Sequence, residues 1–129
     1  MSYLKRISDK VLYERLEAFG AVLIEGPKWC GKTTTAEQQA KSVIKMQDPD
    51  MSSEYLATAE SKPSLLLLGE TPRLVDEWQD APVLWDAVRT MVDKRQSVGQ
   101  FILTGSNAVK KEKIKHSGTG RISRMKMLP

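Results

Sequence analysis

Eight consecutive residues carry the most specific chemistry in this chain. Gly26-Pro27-Lys28-Trp29-Cys30-Gly31-Lys32-Thr33 fits the Walker A pattern G-x-x-x-x-G-K-[ST] at every fixed position. The chemistry is phosphate binding: the glycines let backbone N–H groups turn inward as an anion nest, and a helix opening near Lys32 adds the positive end of its dipole. Lys32 supplies a compact positive charge for the β- and γ-phosphates of a nucleotide. The Thr33 hydroxyl suits Mg²⁺, which keeps most of its waters and needs only a small oxygen ligand there. The phosphate-binding set therefore comprises Gly26, Pro27, Lys28, Trp29, Cys30, Gly31, Lys32, Thr33 and Thr34. Trp29 and Cys30 hold free positions of the pattern, and Cys30 reads as a small neutral filler rather than a nucleophile. Lys28 either reaches a phosphate or is solvated. The bland alternative, a glycine turn that happens to precede Lys-Thr, does not explain why a strand comes before it and a helix after.

Nucleotide hydrolysis needs a second group of residues, and Arg73-Leu74-Val75-Asp76-Glu77 has its form, an apolar run ending on two acids, the Walker B pattern. Asp76 at a strand end is the candidate to hold Mg²⁺ opposite Thr33. Glu77, expected on the other side of an extended chain, is the candidate to orient or deprotonate water. On its own Glu77 could equally be a solvated acid capping a helix. Phe101-Ile102-Leu103-Thr104-Gly105-Ser106-Asn107 is a third candidate, a buried strand ending in small polar residues that could sense the γ-phosphate. Ser106 is the first choice, Thr104 and Asn107 are the alternatives, and a plain Thr-Gly-Ser turn is the competing reading.

These residues need elements to position them. Ala21–Glu25 is continuously apolar up to its last residue, as in a strand buried on both faces. A helix follows the phosphate loop over residues 32–41. Residues 42–46 form a candidate second strand, ended by Asp48-Pro49-Asp50. Residues 54–60 are helical, and residues 65–68 are a weaker helical segment after Pro63. Arg73–Asp76 is a short strand and residues 82–94 the clearest later helix, with Leu84, Val88, Met91 and Val92 on one stripe. Residues 100–104 form another buried strand, and 124–127 alternate like a strand exposed on one face. Before all of this, Ser8 and Asp9 cap a helical lead-in to Phe19, with Gly20 as its stop. Strands alternating with helices predict an α/β fold with a largely parallel sheet.

Length and composition set the outer limits. The 129 residues suit one domain; 40% are hydrophobic and 28% charged, which excludes a disordered or disulfide-stapled chain. One cysteine and one histidine exclude an internal disulfide and a Cys/His zinc cage. No apolar run approaches a membrane span and no signal peptide opens the chain, so a cytoplasmic protein that spans no membrane is expected. The net charge of +4 is uneven: residues 108–129 hold seven Lys/Arg and one acid, residues 1–50 hold eight against seven, and residues 51–107 five against eight. The basic excess is local, and the chain as a whole does not read as a basic nucleic-acid binder.

Taken together, the phosphate loop, the Arg73-to-Gln79 segment, the strand running to Ser106 and the pair Gly120-Arg121 resemble the ATPase region of bacterial and archaeal AAA-family ATPases that carry a nuclease-like C-terminal domain of unknown function. The resemblance spans nearly the whole chain. It implies a P-loop NTPase three-layer sandwich on a five-stranded, mostly parallel sheet of the additional-strand, AAA/RecA-like order. In that order the phosphate-loop strand neighbours the strand ending at Thr104, which in turn neighbours the strand ending at Asp76. It further implies ATP with Mg²⁺, Lys32 on the phosphates, Thr33 and Asp76 on the metal side, Glu77 activating water, Ser106 as polar sensor and Arg121 as a nucleotide-responsive arginine. Members of that family continue into a helical lid and a C-terminal domain, whereas this sequence stops after its fifth expected strand. The expectation is thus a single truncated ATPase core over residues 1–129, with a lead-in at 1–20, a basic loop at 108–123, and contacts to a C-terminal domain or a second copy left open.

The same residues bear on other functions. A small P-loop kinase is an alternative, but Arg121 and Arg124 make a thin version of a kinase lid, and Asp76-Glu77 suits water better than an acceptor alcohol. A GTPase lacks its Asn-Lys-x-Asp guanine reader. A non-hydrolysing nucleotide- or nucleic-acid-binding fragment could use the lysines of 110–115, but no aromatic residue near them can stack a base, and a solvated loop is the preferred reading.

Overall fold

The computed structural model of the chain describes residues 3–106 and 121–128, with side chains from residue 7 onward. Five strands form one sheet: β1 (Ala21–Glu25), β2 (Ser42–Lys45), β3 (Arg73–Asp76), β4 (Phe101–Gly105) and β5 (Ile122–Lys126). Their order is β2-β3-β4-β1-β5 and every neighbouring pair is parallel. The strand neighbours implied by the family resemblance are therefore found, and the sheet is parallel throughout.

Parallel strands need crossovers, and helices on both faces supply them. Ala21 and Leu23 of β1 point to one face, where they join Val75, Phe101, Leu103 and the helical side chains Trp78, Leu84, Trp85 and Val88. Val22 and Ile24 point to the other, with Leu74, Ile102, Leu12, Leu16 and Ala36. The first face carries α3 (Ser52–Ser61), α4 (Val83–Arg95) and two short 3-10 helices, Pro63–Leu67 and Trp78–Asp80. The second carries α1 (Tyr3–Leu16) and α2 (Lys32–Gln39). This is a three-layer α/β sandwich. Because β1 and β4 are central they are apolar on both faces, whereas edge strand β2 alternates, with Val43 exposed and Ile44 buried.

Three sequence expectations change here. Ser8 and Asp9 lie inside α1, which starts at Tyr3; Leu12 and Leu16, one turn apart, hold it to the sheet. The helix stops at Leu16, so Gly20 does not end it; Gly20 lies against Val92 of α4 instead. Of residues 65–68, the first three belong to the 3-10 turn Pro63–Leu67 opened by Pro63 and Leu68 is extended, as a proline that fixes the first turn of a short helix allows. No helix among the described residues is long and apolar enough to cross a membrane. The basic residues of 110–115, together with Asn107 and Gly120, lie outside the described residues.

Candidate functional site

Parallel pairing sends the carboxyl ends of β1, β3 and β4 to the same edge of the sheet. Glu25 lies level with Gly105, and Asp76 with Thr104. The segments leaving those strand ends therefore converge: the phosphate loop after β1, Glu77 after β3 and Ser106 after β4.

The loop is shaped by its backbone. Gly31 sits at φ 92°, a left-handed conformation that a side chain would strain, and α2 begins immediately after it with no side-chain cap. The first-turn N–H groups of α2 are thus left for a ligand to satisfy, next to the positive dipole end. Pro27, Lys28 and Thr34 are exposed. Cys30 is half-buried against the second core cluster. Trp29 adopts φ 67° and stands 98% exposed, the most exposed large apolar side chain of the described residues. A missed contributor supports the loop from below: Met127, beyond β5, donates its N–H to the Glu25 carbonyl at 2.7 Å. Its carbonyl closes the space where a Gly26 side chain would begin. Nothing in the residue type of Met127 announces this; only the position of β5 beside β1 does.

Lys32 is buried, with 4% of its surface exposed. Its Nζ donates to the Pro27 carbonyl and to Ser106 Oγ, each at 3.3 Å, and lies 3.8 Å from Glu77 Oε1. Ser106 Oγ in turn donates to Glu77 Oε1 at 2.6 Å. An ammonium, a hydroxyl and a carboxylate drawn from three separate stretches of chain thus surround one point. One acid and two oxygens thus hold the buried Lys32 Nζ, and these are partners it can exchange for an arriving anion.

Beside that triad is a second one. Thr33 Oγ1 donates to Asp76 Oδ1 at 2.7 Å, and Thr104 Oγ1 donates to the same oxygen at 2.6 Å. Thr104, fully buried, also accepts the Glu77 N–H at 3.0 Å. It therefore braces both acids from behind rather than facing the phosphate loop, and of the two described sensor candidates only Ser106 reaches Lys32.

Glu77 departs from its expected geometry. The chain is not extended there: Glu77 has φ 60° and ψ 53°, a conformation uncommon outside glycine, and opens the 3-10 turn Trp78–Asp80. The kink turns its side chain into the cluster with Asp76 instead of to the opposite side of the strand. Nor does it cap a helix with its side chain or face solvent freely, being 8% exposed. Its other oxygen, Oε2, accepts from Gln79 Nε2 at 2.6 Å.

Arg121 is not brought to this cluster. It lies just before β5, its carbonyl accepts the Ala21 N–H at the amino end of β1, and its guanidinium pairs with Asp93 of α4. The length of β1 separates it from the phosphate loop, about 16 Å at 3.3 Å per residue. A Gly-Arg signal in the sequence gives no register, and the register of β5 decides the matter. Residues 18–129 match a family model described as an AAA domain. No curated protein was found to match the chain.

Proposed function

The chain belongs to the AAA domain family, and from that premise we propose that it binds ATP with Mg²⁺ at the carboxyl edge of the sheet and hydrolyses it to ADP and phosphate. Nucleotide binding of the ATPase type is the family's general property; hydrolysis and the residue roles are our reading. The observation that carries it is the convergence of Lys32, Ser106 and Glu77, within 3.8 Å or less of one another in pairs, over the open N-terminus of α2.

The donor set suits Mg²⁺. Thr33 Oγ1 and Asp76 Oδ1 are 2.7 Å apart, close to the roughly 2.9 Å between adjacent ligands of an octahedral ion with bonds of 2.0–2.1 Å. Thr33 and Asp76 would hold the ion, directly or through its waters, and the ion would neutralise phosphate charge. Lys32 and the loop N–H groups bind and orient the phosphates. Glu77 takes a proton from water as the water oxygen bonds to the γ-phosphorus and the bridging oxygen departs with its electron pair on ADP. Ser106, next to both Lys32 and Glu77, links the state of the phosphate to that of the base. Lys28, Trp29 and Thr34 are left as exposed contacts at the rim. In this reading Arg121 has no part in the chemistry within one chain.

The kinase alternative gains no support from the site, where Glu77 is held beside the phosphate loop by Lys32, Ser106 and Gln79. Two substitutions test the proposal. Lys32→Ala should abolish ATP binding in calorimetry, and Glu77→Gln should bind ATP within about threefold of the parent while turnover falls by 10² or more. Parental turnover by Glu77→Gln would remove Glu77 from the mechanism.

A further inference from the structure

Gln79 lies in the turn immediately behind the acidic pair, and the phosphate chemistry makes no use of it. Its Nε2 donates to Glu77 Oε2 at 2.6 Å, whereas Ser106 and Lys32 address the other oxygen, Oε1. The two oxygens of one carboxylate thus have different keepers. A carboxylate can only accept, so the amide must present its N–H to Glu77. That orientation leaves the Gln79 carbonyl oxygen buried with no hydrogen-bond partner among the described residues. A partnerless buried carbonyl is unfavourable for folding alone; the contact with Glu77 is what sets the amide. Room for it comes from Gly105, where an added Cβ would stand 3.0 Å from Gln79 Oε1.

The partners of Oε1 are the groups a bound phosphate would claim. When Lys32 and Ser106 turn to a γ-phosphate, Oε1 loses its hold and Oε2 does not. We propose that Gln79 is a positioning residue that keeps the Glu77 carboxylate in place once bound nucleotide has taken up Lys32 and Ser106. This rests on the hydrolytic reading, in which Glu77 is the base.

Gln79→Met tests it, since methionine keeps the length and approximate volume but offers no N–H. In the full chain with ATP and Mg²⁺, kcat should fall at least tenfold, while the Kd for ADP, measured by calorimetry, stays within twofold. Gln79→Asn, which keeps the amide but is one carbon short, should fall similarly and serves if the methionine variant does not fold. Placed on a Glu77→Gln background, Gln79→Met should change the residual single-turnover rate by less than twofold, because the group it acts through is already lost. Parental kcat in Gln79→Met, a full additional loss on the Glu77→Gln background, or a loss carried by the Kd for ADP would each overturn the proposal. A normal loss in Glu77→Gln with no loss in Gln79→Met would overturn this inference alone. Parental turnover by Glu77→Gln would instead overturn the hydrolytic reading, and this inference with it.

Discussion

Thr104 shows how a fully buried hydroxyl can matter to a site it does not line. It donates to Asp76 and accepts the N–H of Glu77, so it fixes both the direction of one acid and the kinked backbone of the next. Thr104→Val should leave that buried N–H unpaired and cost about 1–3 kcal/mol, read as a lower urea midpoint at unchanged m, with turnover falling as Glu77 loosens. Ser106→Ala should behave in the opposite way: little change in stability, within about 0.5 kcal/mol, but a loss of about 10²-fold in turnover, because Ser106 sits between Lys32 and Glu77. If both variants lose stability and activity in proportion, the distinction between brace and sensor fails. Arg121→Ala removes an exposed pair with Asp93, worth about 0–1 kcal/mol, and ATP affinity should stay at the parental value in calorimetry.

The elements matter because they turn a linear pattern into a cluster, and Gly31 shows this most directly. It holds φ 92° with open space where a side chain would begin, the nearest atom being Met127 Cε at 3.9 Å. Gly31→Ala therefore meets dihedral strain rather than collision, about 1–2 kcal/mol, and we expect the loop to relax at the expense of its inward N–H groups. ATP affinity should drop about tenfold, the equivalent of 1.4 kcal/mol, as read by calorimetry; parental affinity would show that the loop tolerates the strain. Much of this level was legible in the sequence. Continuous apolar runs marked β1 and β4 because central parallel strands are buried on both faces, and the glycine pattern placed the loop between β1 and α2. The kink at Glu77 was not legible, since a left-handed glutamate carries no residue-type signal and depends on the Thr104 hydroxyl 27 residues away. Nor was the early start of α1, whose anchors Leu12 and Leu16 indicate a buried face but not where the helix begins. The place of Arg121 at the amino end of β1 was not legible for a related reason: residue spacing before β5 does not reveal to which end of the sheet a side chain falls.

At the scale of the whole molecule, ligand and fold should be coupled. A ligand that binds only the folded state at a concentration a hundred times its Kd adds about 2.7 kcal/mol, so saturating ATP with Mg²⁺ should raise Tm by several degrees, and Lys32→Ala should show no such rise in a thermal scan. The +4 charge is concentrated in residues 108–129, with no matching excess over the remainder, so DNA retention on filters should be weak and gone by moderate salt; tight retention with a steep salt slope would assign that segment a nucleic-acid role. The central claim is that one edge of one sheet both binds and turns over ATP. Its most direct test is paired on the unmodified chain: ATP binding by calorimetry and phosphate release at saturating ATP, both with Mg²⁺. The account predicts one ATP bound per chain and phosphate released over many turnovers; binding with no release, even at high enzyme concentration and long times, would contradict it.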